Sequence, residues 1–166
     1  MKQSLSLHGY FLWTRYDSKR RFRGCGRIYN MVTTAAINNL LDVYFNGASQ
    51  TATWYMGLID LASFTSIDAA DTMSSHAGWQ EVTTYSQSTR PSWGQAAAAS
   101  GSINNPSAAQ FTFTATKTIH GLFVASNNVK NGTTGILWNT AILDSNETFN
   151  AGELLKLFYV LPVGST

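Results

Sequence analysis

The sequence predicts a mainly β protein: an antiparallel β-sandwich of about eight strands, jelly-roll-like winding among its possible forms, with an N-terminal basic hairpin and one short helix. Three observations carry this. Short apolar runs of strand length are separated by Gly, Asn, Ser and Pro. Helical spacing of apolar residues is convincing in one stretch alone. Charged residues form 12% of the chain, against about 25% in ordinary soluble domains, while 44% is hydrophobic and 13% aromatic. Such a chain has enough apolar surface to offset the entropy of ordering, so it folds. At 166 residues it is the size of one domain, residues 1–166.

Along the chain, residues 5–16 (LSLHGYFLWTRY) and 20–29 (RRFRGCGRIY) read as two strands joined by a turn at Asp17-Ser18-Lys19, whose short polar side chains bond to their own backbone. Together they make a basic hairpin or arm over residues 5–29. From Thr33 the period changes. Ala36, Ile37, Leu40, Leu41, Tyr44 and Phe45 recur at helical spacing, Thr33 or Thr34 can cap the start, and Asn46-Gly47 can end it, which predicts a helix over 33–46. Residues 50–166 read as the sandwich body. Strands are expected over 52–59, 80–86, around Phe111 and Phe113, and over 118–126, 135–143 and 153–161. The last is apolar on both faces apart from Lys156, as a central or interface strand is. Residues 60–78 and 95–109 have no steady period, and loops of this length are usually functional or mobile. No internal repeat is visible.

Chemistry is sparse in the pattern. His8, His76 and His120 lie in separate elements, and His120 reads as a hydrogen-bonded structural histidine. His76 adjoins Ser74 and Ser75, but no Gly-x-Ser-x-Gly elbow supports a hydrolase. Asp60, Asp68 and Asp71 match no calcium loop, and Asp68 and Asp71 read better as starting or capping a short helical turn. Residues 132–135 (GTTG) lack the Lys of a phosphate loop and read as a turn. No catalytic residue, metal site or cofactor is expected. The lone Cys25 has no partner for a disulfide. No run reaches the roughly 20 apolar residues that span a bilayer, and the first residues lack the apolar core of a secretory signal, so neither a membrane protein nor a Sec-exported one is expected.

Charge is unevenly placed. Residues 1–30 hold seven of the eleven Lys and Arg with Asp17 opposing, a net charge of about +6, while the remainder is about −4. Arg15, Lys19, Arg20, Arg21, Arg23 and Arg27 are therefore the candidate contact residues. Tyr10, Phe11, Trp13, Tyr16 and Phe22 interleave with them, a mixture that holds single-stranded nucleic acid or fills the centre of a protein interface. The alternation of Arg21 and Arg23 with Phe22 and Gly24, and the acidity of the rest of the chain, favour a protein partner over nucleic acid. Trp13, Trp54, Trp79, Trp93 and Trp138 suit a domain that meets neighbours, although a packed core explains most of them.

The strings GYFLW, NMVTTAAINNLLDVYFNG (30–47), TWYMGLID (53–60), AADTMSSHAGWQEVTTYSQSTRPSW (69–93), KNGTTGILWNTA (130–141) and AGELLKLFYVL (151–161) resemble a family of small virion structural proteins of tailed bacteriophages. The resemblance spans nearly the whole chain, departing in the density of arginines between Arg20 and Arg27. It implies no catalytic residue. It implies a capsid decoration or cement protein on the outside of a phage head, made in the host cytoplasm, with the major capsid protein as partner. A homotrimer is implied too, and Leu155, Leu157, Phe158 and Tyr159 are the candidate residues of its shared interface. A tail, head-fibre or vertex component is the nearest alternative, and a nucleic-acid-binding protein using the hairpin is the other.

Overall fold

The computed structural model describes residues 5–165. Its elements, in chain order, are β1 (Leu5–Ser6), β2 (Tyr10–Tyr16), β3 (Phe22–Tyr29), β4 (Met31–Val32), α1 (Thr34–Phe45), β5 (Tyr55–Asp60), β6 (Ser102–Asn104), β7 (Ala109–Thr112), β8 (Lys117–Ala125), β9 (Leu137–Phe149), β10 (Leu154–Pro162) and β11 (Gly164–Ser165). The protein is mainly β, a sandwich of two antiparallel sheets. One sheet runs β3-β2-β10, and β6 and β7 share the far edge of β10; the other runs β4-β9-β8-β5, and β1 pairs with β11 in a separate ribbon.

Alternation along the strands decides what lies between the sheets. Phe11, Ile28, Phe111, Leu155, Leu157 and Tyr159 of the first sheet meet Met56, Leu58, Leu122, Val124, Ala141 and Leu143 of the second. Each large apolar side chain so buried contributes about 1.5–3 kcal/mol, which makes this layer the main source of stability. Leu155 and Leu157 face the core because alternation along β10 turns Leu155, Leu157 and Tyr159 inward, and β10 has no free edge, being flanked by β2 on one side and by β6 and β7 on the other.

The basic hairpin forms as expected but is not a free arm, since β2 continues the sheet by pairing with β10 from Tyr10↔Val160 to Tyr16↔Leu154. Its turn is built by Asp17. One carboxylate oxygen accepts the backbone N–H groups of Lys19 and Arg21, each at 2.9 Å, and the other accepts Arg21 Nε at 2.7 Å and Arg23 Nη2 at 2.8 Å. Arg20 occupies the left-handed region at φ 63°, a conformation these bonds hold in place.

The helix begins one residue inside the expected bound. Thr33 Oγ1 accepts the backbone N–H of Ala36 at 3.1 Å, as a cap does, and donates to the carbonyl of Leu137, tying the helix start to β9.

Residues 80–86, expected as a strand, make only isolated bridges, Glu81 with Ile59 and Tyr85 with Phe113. Glu81, Val82 and Tyr85 are all buried, a spacing incompatible with strict period-two pairing. Residues 61–80 contain no strand or helix, and their apolar groups are already spent. Phe64, Ile67, Met73 and Trp79 close over Ile59, Phe123, Ala125 and Leu137, so the second sheet is buried on both faces. Asp68 and Asp71 hold a tight turn inside this cover and do not start a helix: Asp68 Oδ1 accepts Ala70 N, and Asp71 Oδ2 accepts both Asp68 N and Trp79 Nε1.

Candidate binding face

The outer side of the first sheet has no covering layer. Registers and alternation align its outward residues in rows across the strands: Tyr29-Tyr10-Val160, Arg27-Leu12-Phe158, Cys25-Thr14-Lys156, and Phe22-Tyr16, the last ending on Leu154, which is buried. Tyr29 and Phe22 are 67% and 58% exposed, an unusual state for large aromatics. Their neighbours give them edge contacts, Tyr10 to Tyr29 at 6.1 Å and Tyr16 to Phe22 at 6.0 Å between ring centroids. Arg27 lies 4.9 Å from the Tyr10 ring centroid and Lys156 lies 5.1 Å from that of Tyr16. These four rows hold two cations and no carboxylate. At the hairpin end they run into exposed Lys19, Arg20, Arg21 and Arg23.

Not all six sequence-derived contact residues reach this face. Arg15 turns inward: its guanidinium lies 4.7 Å from the Phe149 ring centroid and donates to Glu147 Oε2 at 3.2 Å and Glu153 Oε2 at 2.7 Å, so its charge is consumed within the chain. Arg21 and Arg23 are exposed but share the Asp17 carboxylate. Both guanidiniums, with the Arg21 and Lys19 backbone N–H groups, favour ionised Asp17, and the Arg21 N–H has the largest effect; they hold its pKa well below the usual carboxylate range. Lys19, Arg20 and Arg27 make no ion pair among the described residues.

The four interface candidates on β10 also divide. Leu155, Leu157 and Tyr159 are enclosed in the chain's own core, with the Tyr159 ring tilted against that of Phe11 at 4.7 Å between centroids, and no second copy can reach them. Burial likewise pushes the Tyr159 phenol above its ordinary pKa. Phe158 alone points to the open face. The alternating series Tyr10, Leu12, Thr14 and Tyr16 was the sequence signal for that face, but it reads equally as an inward face because Phe11 and Trp13, at the opposite parity, are apolar too.

Elsewhere, His76, His120 and Arg90 are engaged in structural contacts. His76 Nδ1 pairs with the Thr72 carbonyl at 2.9 Å and its ring stacks on Trp79 at 4.1 Å, while the Ser74 hydroxyl pairs with Thr72 Oγ1. His120 Nδ1 bonds Asn146 Oδ1. A cleft of about 340 Å³ beside His76 is floored by the buried pair Glu81 and Arg90. Arg90 Nε and Nη2 reach the two carboxylate oxygens at 2.9 and 2.8 Å, in a planar two-pronged arrangement. Lys130 caps the neighbouring Tyr85 ring at 3.8 Å and donates to the Tyr85 carbonyl, and burial lowers its pKa. Among the described residues, no three His, Cys, Asp or Glu side chains gather in a way that could hold a metal ion, and no helix is long and apolar enough to cross a membrane.

No protein-family model matches this chain, and no curated protein sequence matches it.

Proposed function

We propose that this protein is a virion structural protein, a decoration or cement protein that lies on the outer surface of a phage head and ties neighbouring subunits of the major capsid protein together. The observation that carries the reading is the open sheet face. Its exposed Tyr and Phe rings, its Arg and its lack of carboxylates match the composition that sets interface centres apart from ordinary surface, where Tyr, Phe and Arg are enriched and Asp and Glu depleted. A partner that meets it needs acidic groups opposite Lys19, Arg20 and Arg27 and apolar groups opposite Leu12 and Phe158. The sequence resemblance to small phage virion proteins points the same way.

Two features weigh against nucleic acid. Arg27 and Lys156 already cover Tyr10 and Tyr16, leaving those rings unavailable for base stacking, and the paired charges of Arg21 and Arg23 have less to offer phosphates.

The test is co-sedimentation of the purified protein with undecorated shells. Replacing Lys19, Arg20 and Arg27 by Gln removes three exposed charges worth about 0.2–1 kcal/mol each, so affinity falls about 3- to 160-fold at low salt and less in high salt. Copy number separates the sites: hundreds per particle mean decoration, whereas about a dozen mean a vertex or tail. No binding to shells, together with steeply salt-dependent binding to single-stranded DNA, overturns the proposal in favour of the nucleic-acid reading.

A further inference from the structure

A second apolar surface lies on α1, and the fold makes little use of it. Ala36 is the one helix residue buried outright. Leu40 and Val43 only line a cavity of about 190 Å³ between the helix and Trp54, Trp93 and Trp138. Ile37, Leu41 and Phe45 lie outside that cavity and Tyr44 stands at its rim; the four are 40%, 50%, 77% and 82% exposed. Their spacing of four, three and one places them on one stripe down the helix. A 12-residue helix draws most of its stability from packing, so this apolar stripe contributes nothing to α1 while it faces solvent, and an exposed patch of this kind marks an interaction surface.

We infer that this stripe is the surface through which the protein associates with a second copy of itself, helix against helix. Charge identifies the occupant. The open sheet face carries cations and no carboxylates, so two copies brought together there repel, and that face needs a foreign, acidic partner. The helix is the reverse case: Asp42, at the edge of the stripe, is the single charged residue of α1. Identical stripes therefore meet without like-charge opposition, as a surface shared between symmetry-related copies must. Size agrees. The two aromatics alone expose roughly 300 Å² and the four residues about 500 Å², at the upper end for a patch on a monomer and below the roughly 800 Å² per partner of a standard interface, which fits a weak, concentration-dependent association. The stripe also replaces the β10 residues as the site of self-association, since three of those four are core. This inference rests on the helix and does not require the shell reading.

Sedimentation equilibrium of the full-length protein, from low micromolar to about 100 µM, tests it. The wild-type chain is expected to self-associate, and Phe45→Glu and Leu41→Glu are each expected to weaken association at least 10-fold. Both side chains are exposed, and an unchanged circular dichroism spectrum, with a melting temperature equal to that of wild type at concentrations where both are monomeric, shows that the fold survives. Added salt leaves this association intact or strengthens it, whereas it weakens binding through the basic face. A wild-type protein that stays monomeric at the top of the range overturns the inference, as do variants that associate like wild type. A monomeric wild type whose shell binding is lost on Phe45→Glu also overturns it, and assigns the stripe to the capsid partner instead. Failure of shell binding with association intact overturns the functional proposal alone.

Discussion

Arg90 offers the sharpest test of how the loops are held on the sandwich. Its side chain is 1% exposed and that of Glu81 is 3% exposed, so the pair is shielded from water on nearly all sides. Besides the carboxylate, the guanidinium donates to the carbonyls of Asn127 at 2.8 Å and Gly132 at 3.3 Å, binding residues 127–132 to the segment that carries Glu81. Its plane also lies 5.2 Å from the Phe123 ring centroid. Replacing Arg90 by Met keeps much of the volume but leaves Glu81 buried with the Asn131 N–H as its one remaining partner. Breaking one half of a buried pair costs about 3–5 kcal/mol, because the remaining charge stays desolvated without compensation. For a domain of this length each kcal/mol moves the melting temperature by about 2–4 °C, so calorimetry at pH 7 is expected to show a fall of about 6–20 °C. The double variant Arg90→Met/Glu81→Leu removes the stranded charge, the larger part of the penalty, so it recovers at least half of that loss. A single variant within about 2 °C of wild type refutes the reasoning. So does a double variant no more stable than the single one.

Three further outcomes follow from the same structure. Asp17→Asn loosens the hairpin turn and lowers the melting temperature at neutral pH; because the folded state binds the Asp17 proton less tightly than the unfolded chain, its stabilisation is complete above about pH 4 and declines as the pH falls further, and the variant lacks that part of the acid limb in a pH series of thermal melts. Gly57→Ala drives a methyl to 2.1 Å from the Phe123 ring, so urea titration is expected to show a loss of about 1–3 kcal/mol or more from overpacking of the outer cluster. Thr33→Ala removes both the helix cap and the bond to Leu137, with an expected cost of about 1–2 kcal/mol by urea titration and faster amide exchange in the first turn of α1.

The parts of the fold legible in the sequence are those settled by residues close in the chain. The hairpin turn could be located because Asp17 bonds to groups two to six residues away, and the helix because Thr33 caps a backbone N–H three residues on. The positions of most strands followed from the apolar runs but their lengths did not: β9 continues through Asn139 and Asn146 to Phe149, six residues past its expected end, because β8 pairs with it along that length. The basic character of the open sheet face and its hairpin end was equally visible, and Lys19, Arg20 and Arg27 are exposed there. Its aromatic rows were not, because three strands from both ends of the chain have to lie side by side before Tyr29, Tyr10 and Val160 form a line.

What local pattern cannot supply is which of two apolar faces turns inward and which charges find partners across the molecule. Arg15 looks like its neighbours in the basic cluster, yet Glu147 and Glu153, 132 and 138 residues away, claim it. Leu155, Leu157 and Tyr159 look like an interface until β10 is seen at the centre of its sheet, and residues 61–80 look like an exposed loop until Trp79 and Met73 settle over Phe123. The amino-acid order alone determined a sheet-dominated chain, its turns, its helix and the placement of its positive charge, since each depends on backbone preference and near-neighbour bonds. Only the tertiary structure decided which side chains remain available to a partner, because burial and ion pairing depend on distances between residues that sequence separation does not constrain.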